Sequence, residues 1–134
     1  AHDLQKGRCY IPETMLTEVG LKPHDLLHQD NLPRFRPVLS KLVRLALEHL
    51  DQGWAYTMAI PRHETRLRLA CMWPILSAGE SLKLVMSSPD LLSHAVKVKI
   101  PRSKVYQIMA MTTGTVACGY AGTAYWGHLR KQIV

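Results

Sequence analysis

The sequence predicts an all-α fold, a helical bundle, and three observations carry that reading. The long apolar patterns repeat near 3.6 residues, so each puts one stripe of a helix against a core. No hairpin dipeptide flanked by alternating apolar residues occurs, so strand signals are almost missing. The chain has 134 residues, 47% hydrophobic and 20% charged, which is the length and composition of one ordinary globular domain.

The first elements are short. Gly7 marks the end of one or two opening helical turns. Ile11-Pro12-Glu13-Thr14 reads as a helix start, and Gly20 closes that segment. Lys22-Pro23-His24-Asp25 opens a second short helix. The first long helix begins between Pro33 and Pro37 and ends at Ile60-Pro61. Its apolar face is Phe35, Val38, Leu39, Leu42, Leu45, Ala46, Leu50, Trp54 and Met58. The second long helix covers 62–86. Arg62, Arg66 and Arg68 lie near its start, where the helix dipole disfavours cations, and Glu64 offsets them only partly. Pro74 removes one backbone bond inside it and bends it. Ser87-Ser88-Pro89-Asp90 is the break after it.

The third long helix starts after Pro101, with Ser103 as its N-cap, and runs to about residue 132. It carries no charge over 105–127. A helix apolar on most sides is central in a bundle or lies in lipid. Thr112, Thr113, Gly114, Thr115, Gly119 and Gly122 make it poor for spontaneous insertion, which favours the bundle.

Globular composition excludes a disordered or collagen-like chain. No signal peptide is visible at the start. The opening Ala1-His2-Asp3 lacks Met, and a processed terminus and a segment of a longer protein both fit it. Cys9, Cys71 and Cys118 are odd in number, far apart and free of any CxxC, so reduced cytosolic thiols are expected. The charge is uneven. Residues 1–90 carry 11 basic and 10 acidic side chains, whereas 91–134 carry six basic and none acidic. Such a pole attracts phosphates, nucleic acid or an anionic membrane.

Two stretches could carry chemistry. In Asp3-Leu4-Gln5-Lys6-Gly7-Arg8-Cys9-Tyr10-Ile11-Pro12 a carboxylate, an Arg and a Tyr cluster around a Gly. A carboxylate can hold Mg²⁺, and Arg and Tyr can bind the phosphates such an ion bridges. A solvated helix end is the bland alternative. Lys97-Val98-Lys99-Ile100-Pro101-Arg102-Ser103-Lys104 puts cations where a helix begins, a choice that costs local stability and suits phosphate. A solvated loop is its bland alternative. His24 and His28 have metal-ligand spacing but no third ligand, and read as surface histidines. No P-loop, GxGxxG, GxSxG or Cys/His catalytic signature occurs.

Asp3-x-x-x-Gly7-Arg8-x-Tyr10-x-Pro12 resembles the stretch following the second aspartate-rich motif of the squalene and phytoene synthases. Leu69-Ala70-Cys71-Met72-Trp73-Pro74 through Leu82 is similar to their Cys-x-x-Pro helix. Val98-Lys99-Ile100-Pro101-Arg102 resembles the segment before their last core helix. The three agree in order and together span residues 3 to about 109. The sequence departs from the family in lacking a first aspartate-rich motif, and in Ala70, where many members carry an aromatic.

The resemblance implies an isoprenoid-synthase-type bundle, of which residues 1–134 are the C-terminal portion and the N-terminal half is a partner. It implies condensation of two farnesyl diphosphates through presqualene diphosphate to squalene or dehydrosqualene, with Mg²⁺ clamping the diphosphates and NADPH supplying hydride for squalene. It implies that Asp3 binds metal, that Arg8, Tyr10 and Arg102 bind diphosphate, and that Lys99 binds diphosphate or NADPH. Trp73 and Met109 would line the cavity. Such an enzyme is cytoplasmic, with peripheral membrane association compatible with the basic pole, and takes no nucleic acid. The rival reading is a non-enzymatic basic helical module that binds anionic membrane or nucleic acid.

Overall fold

The structure, a computed structural model, describes residues 2–93, 98–116 and 120–133. Among the described residues six α-helices follow one another: α1 (His2–Gln5), α2 (Glu13–Thr17), α3 (Leu32–Ala59), α4 (Thr65–Ser87), α5 (Arg102–Thr115) and α6 (Tyr120–Ile133). Two 3₁₀ turns, Pro23–Leu27 and Gln29–Asn31, lie between α2 and α3. No strand occurs among the described residues, so the fold is all-α.

The chain divides into two compact units. The first is Ala1–Val43 with Val85–Val98, and the second is Arg44–Leu84 with Lys99–Val134.

The first unit is built on helix ends. α1 closes with the Gly7 N–H bonded to the Leu4 carbonyl and the Arg8 N–H to the Asp3 carbonyl, across Gly7 at φ +71°. This paired closure needs a left-handed residue, which glycine adopts without penalty. α2 ends the same way. Gly20 (φ +67°) donates to Thr17, and Leu21 donates to Leu16. Leu16 and Leu21 are both buried. Arg34 Nη2 then donates to the Val19 and Gly20 carbonyls at 3.1 and 3.0 Å, a cation at a helix C-terminus. Arg36 serves the end of α4 through the Met86 and Ser88 carbonyls at 2.6 and 3.0 Å. The Gln29 amide holds the following turn, donating to Pro89 and accepting from the Leu92 N–H.

In the second unit the glycines set how closely α4 and α6 approach. A Cβ on Gly79 would lie 2.7 Å from Leu129 Cδ2 and 2.9 Å from Trp126 Cζ3. A Cβ on Gly122 would lie 3.0 Å from Met72 Sδ. Trp54 of α3 stacks on Trp126 of α6 with centroids 5.9 Å apart. Asp51 accepts from the Trp126 indole at 3.0 Å and pairs with Arg130 at 2.8 Å.

Several expectations are corrected. The segment 103–132 is two helices, α5 and α6, rather than one. Thr112-Thr113-Gly114-Thr115 is a run of weak helix formers at the end of α5. α5 and α6 are each described over 14 residues, and neither is long and apolar enough to cross a membrane. Among the described residues α4 is the helix long and apolar enough to cross a membrane by length and composition. One face of it buries Arg68, Met72, Ile75, Leu76, Gly79 and Glu80, and 22% of its apolar window is buried.

Second, α5 is capped by Pro101, not Ser103. The Pro101 carbonyl accepts from the Lys104 and Val105 N–H groups, so Arg102 already starts the helix. Third, α4 starts at Thr65, which leaves Arg62 before the helix, and the expected second short helix is the 3₁₀ turn Pro23–Leu27. Fourth, Leu45 is 51% exposed, while Val43 and Leu47 are buried. Two residues of helix turn a side chain through about 200°, so Leu45 points away from both. Cys9 and Cys71 are free thiols; Cys118 and Gly119 lie outside the described residues.

Candidate functional site

Asp3, Arg8 and Tyr10 lie in the first unit. Asp3 sits on α1, and its carbonyl takes both the Lys6 and the Arg8 N–H. The Asp-to-Arg spacing is therefore the length of one helix closure. The side chains of Asp3 and Arg8 are exposed, as is Tyr10 at 79%. Among the described residues none of the three is held by an ion pair or a side-chain hydrogen bond.

Lys99, Arg102, Trp73 and Met109 lie in the second unit. Lys99 and Arg102 are exposed. They have no acidic partner among the described residues, although Arg130 pairs with Asp51 and Lys104 with Glu80. Lys97 lies outside the described residues. The α5 start therefore presents exposed cationic charge with no acidic partner among the described residues.

Trp73 reaches the backbone of α5 through Thr112. The Trp73 indole N–H donates to Thr112 Oγ1 at 2.9 Å, and that hydroxyl donates to the Ile108 carbonyl at 2.7 Å, with the Met109 carbonyl 3.2 Å away. Trp73 and Met109 are half-buried.

Sequence reasoning missed one polar cluster beside the α5 start. Glu80, 8% exposed, accepts from the Tyr125 hydroxyl and pairs with Lys104 Nζ at 3.3 Å. Lys104 Nζ also lies 5.5 Å from the Tyr125 ring centroid. The Tyr125 hydroxyl is held above the usual tyrosine range, first by burial and then by Glu80. The Lys104 ammonium is held above the usual lysine range, first by the adjacent Tyr125 hydroxyl and then by Glu80, against the opposing effect of burial. Arg102 and Lys104 are two residues apart on α5, so their side chains leave the helix in nearly opposite directions. Lys104 anchors the inner side of the first turn, and Arg102 stands on the outer side.

No group of three His, Cys, Asp or Glu side chains converges among the described residues. His24 and His28 are both exposed, with ring centroids 5.9 Å apart. For a divalent cation the described residues of the first motif offer the single carboxylate of Asp3, which is not a closed donor set.

A model of the squalene/phytoene synthase family matches residues 1–104, more than half of the chain, and the chain belongs to that family. Family members are prenyltransferases with an all-α isoprenoid-synthase-type fold. Their chemistry is the head-to-head condensation of prenyl diphosphates, which they bind, generally with Mg²⁺. No curated protein and no solved structure matches. Nothing in the structure or the comparisons supports the rival reading of a non-enzymatic basic binding module.

Proposed function

We propose that these residues are the C-terminal portion of a single all-α synthase domain that condenses two farnesyl diphosphates through presqualene diphosphate to squalene or dehydrosqualene. The observation that carries the reading is the open charge of Lys99 and Arg102 at the start of α5, in a chain of the squalene/phytoene synthase family. A departing diphosphate needs positive charge near its developing negative charge. In this reading Arg8, Tyr10 and Arg102 bind diphosphate, and Lys99 binds diphosphate or the NADPH phosphates. Asp3 gives one carboxylate to Mg²⁺, whose other ligands come from outside the described residues. Bound there, the ion would offset diphosphate charge. Trp73 and Met109 line the apolar cavity that shelters the carbocation from water.

The test is to supply farnesyl diphosphate and Mg²⁺, with and without NADPH, to the synthase that contains these residues. Product analysis should find presqualene diphosphate, then squalene with NADPH or dehydrosqualene without it. A synthase that consumes farnesyl diphosphate but makes no head-to-head product would overturn the assignment.

A further inference from the structure

Glu80 joins α4, α5 and α6 at one point. It is buried on α4, accepts from the Tyr125 hydroxyl of α6, and pairs with Lys104 Nζ of α5 at 3.3 Å. Lys104, Ile108 and Thr112 recur every four residues, so they share one face of α5. Ile108 and Thr112 are buried, and no side chain from Arg102 to Gln107 is. Lys104 thus extends the inward stripe into a turn that has no apolar anchor of its own.

That turn also lacks the usual supports of a helix start. It contains no acid, and Pro101 before it offers no side-chain cap. Arg102 and Lys104 there oppose the helix dipole. The Glu80 carboxylate brings the missing negative charge from α4.

The same pair fixes the course of α5. Trp73 of α4 donates to Thr112, and Glu80 of α4 pairs with Lys104. Moving from Trp73 to Glu80 advances about 10 Å along α4, while moving from Thr112 to Lys104 goes back about 12 Å along α5. The two helices therefore run antiparallel and are tied about two turns apart. Without the Glu80 tie, the start of α5 would be held only from Ile108 onward.

We propose that Glu80, acting through Lys104, is the positioning residue of the anion site at the start of α5. It touches no ligand. It holds the turn that carries Arg102 and that Lys99 leads into. A loose turn would have to be ordered when diphosphate binds, which costs affinity. The inference deepens the diphosphate reading above and rests on it.

The test uses the synthase that contains these residues, with inorganic diphosphate as the probe. Glu80→Gln keeps the side chain's shape and an acceptor for Tyr125 but removes the charge that holds Lys104. Calorimetry should find diphosphate binding weakened roughly three- to tenfold. The direction discriminates. A carboxylate near an anion site repels the anion, so without a positioning role its removal would leave binding unchanged or tighten it. Residues 104 and 105 donate their N–H groups to the Pro101 carbonyl. Their hydrogen-exchange protection should fall while the middle of α4 stays protected. Lys104→Met breaks the same tie from its half-exposed end and should lower the same protection. Unchanged protection at 104 and 105 in both variants, or unchanged or tighter diphosphate binding by Glu80→Gln, would overturn the proposal. If the wild type binds diphosphate no better than a variant carrying Lys99→Ala and Arg102→Ala, the diphosphate reading falls instead. The exchange result needs no ligand and still decides whether Glu80 holds the turn.

Discussion

The Arg8 N–H donates to the Asp3 carbonyl at 2.9 Å across the left-handed Gly7. The Asp-x-x-x-Gly-Arg spacing is thereby a mechanical unit. The acid rides on a helix, the glycine reverses the chain, and the arginine emerges just past the closure.

Gly7→Ala tests that unit. A Cβ would meet no atom within 4 Å, so the cost comes from backbone conformation alone. It should be about 1–2 kcal/mol. Hydrogen exchange at Gly7 and Arg8 should quicken while α4 stays protected. Unchanged exchange at both would mean that the closure contributes nothing.

The sequence made this region legible because a helix closure is local: both glycine stops, at Gly7 and Gly20, are where the residues put them. The face of α3 was legible in part: Phe35, Val38, Leu39 and Trp54 are buried, but Leu45 is exposed and the buried Val43 and Leu47 lay outside the stripe read from the sequence. The Glu80, Lys104 and Tyr125 cluster was not legible, because its members are 24 and 21 residues apart and meet only by packing. The same holds for the burial of Arg68, which the sequence offers as one of three cations near a helix start. The site residues were named from motif position, and their exposure at Asp3, Arg8, Lys99 and Arg102 is information that only the structure adds.

Two alanine substitutions should act in opposite directions. Gly79→Ala pushes a methyl against Leu129 and Trp126 and should destabilise by about 1–3 kcal/mol. Gly127→Ala, in mid-α6 with nothing within 4 Å of its Cβ, should stabilise by about 0.5–1 kcal/mol. Denaturant midpoints at constant m measure both. A shift of the same sign for the two would show that close approach of α4 and α6 is not what selects Gly79.

Alkaline pH should weaken the second unit. Tyr125 and Lys104 both bind their protons more tightly in the folded chain than in the unfolded one. Their contribution is therefore complete below roughly pH 10 and is lost as pH rises through the folded values. Tyr125→Phe should flatten that loss. It should also cost about 1–3 kcal/mol at neutral pH, because buried Glu80 loses a donor. Parallel stability curves for wild type and variant above pH 10 would contradict the coupling.

The most direct measurement of the functional account is steady-state turnover of farnesyl diphosphate by Lys99→Ala and Arg102→Ala in the synthase that contains these residues. Each removes an exposed cation with no acidic partner among the described residues, so helix content by circular dichroism should not change. Loss of a charge-assisted contact to phosphate should lower turnover roughly ten- to a hundredfold, about 1.5–3 kcal/mol. If the contact is to diphosphate, formation and consumption of presqualene diphosphate should both slow. If it is to NADPH, only the reductive step should fail, and presqualene diphosphate or dehydrosqualene should accumulate. Wild-type rates for both steps in both variants would reduce the start of α5 to a solvated charged loop and contradict the account.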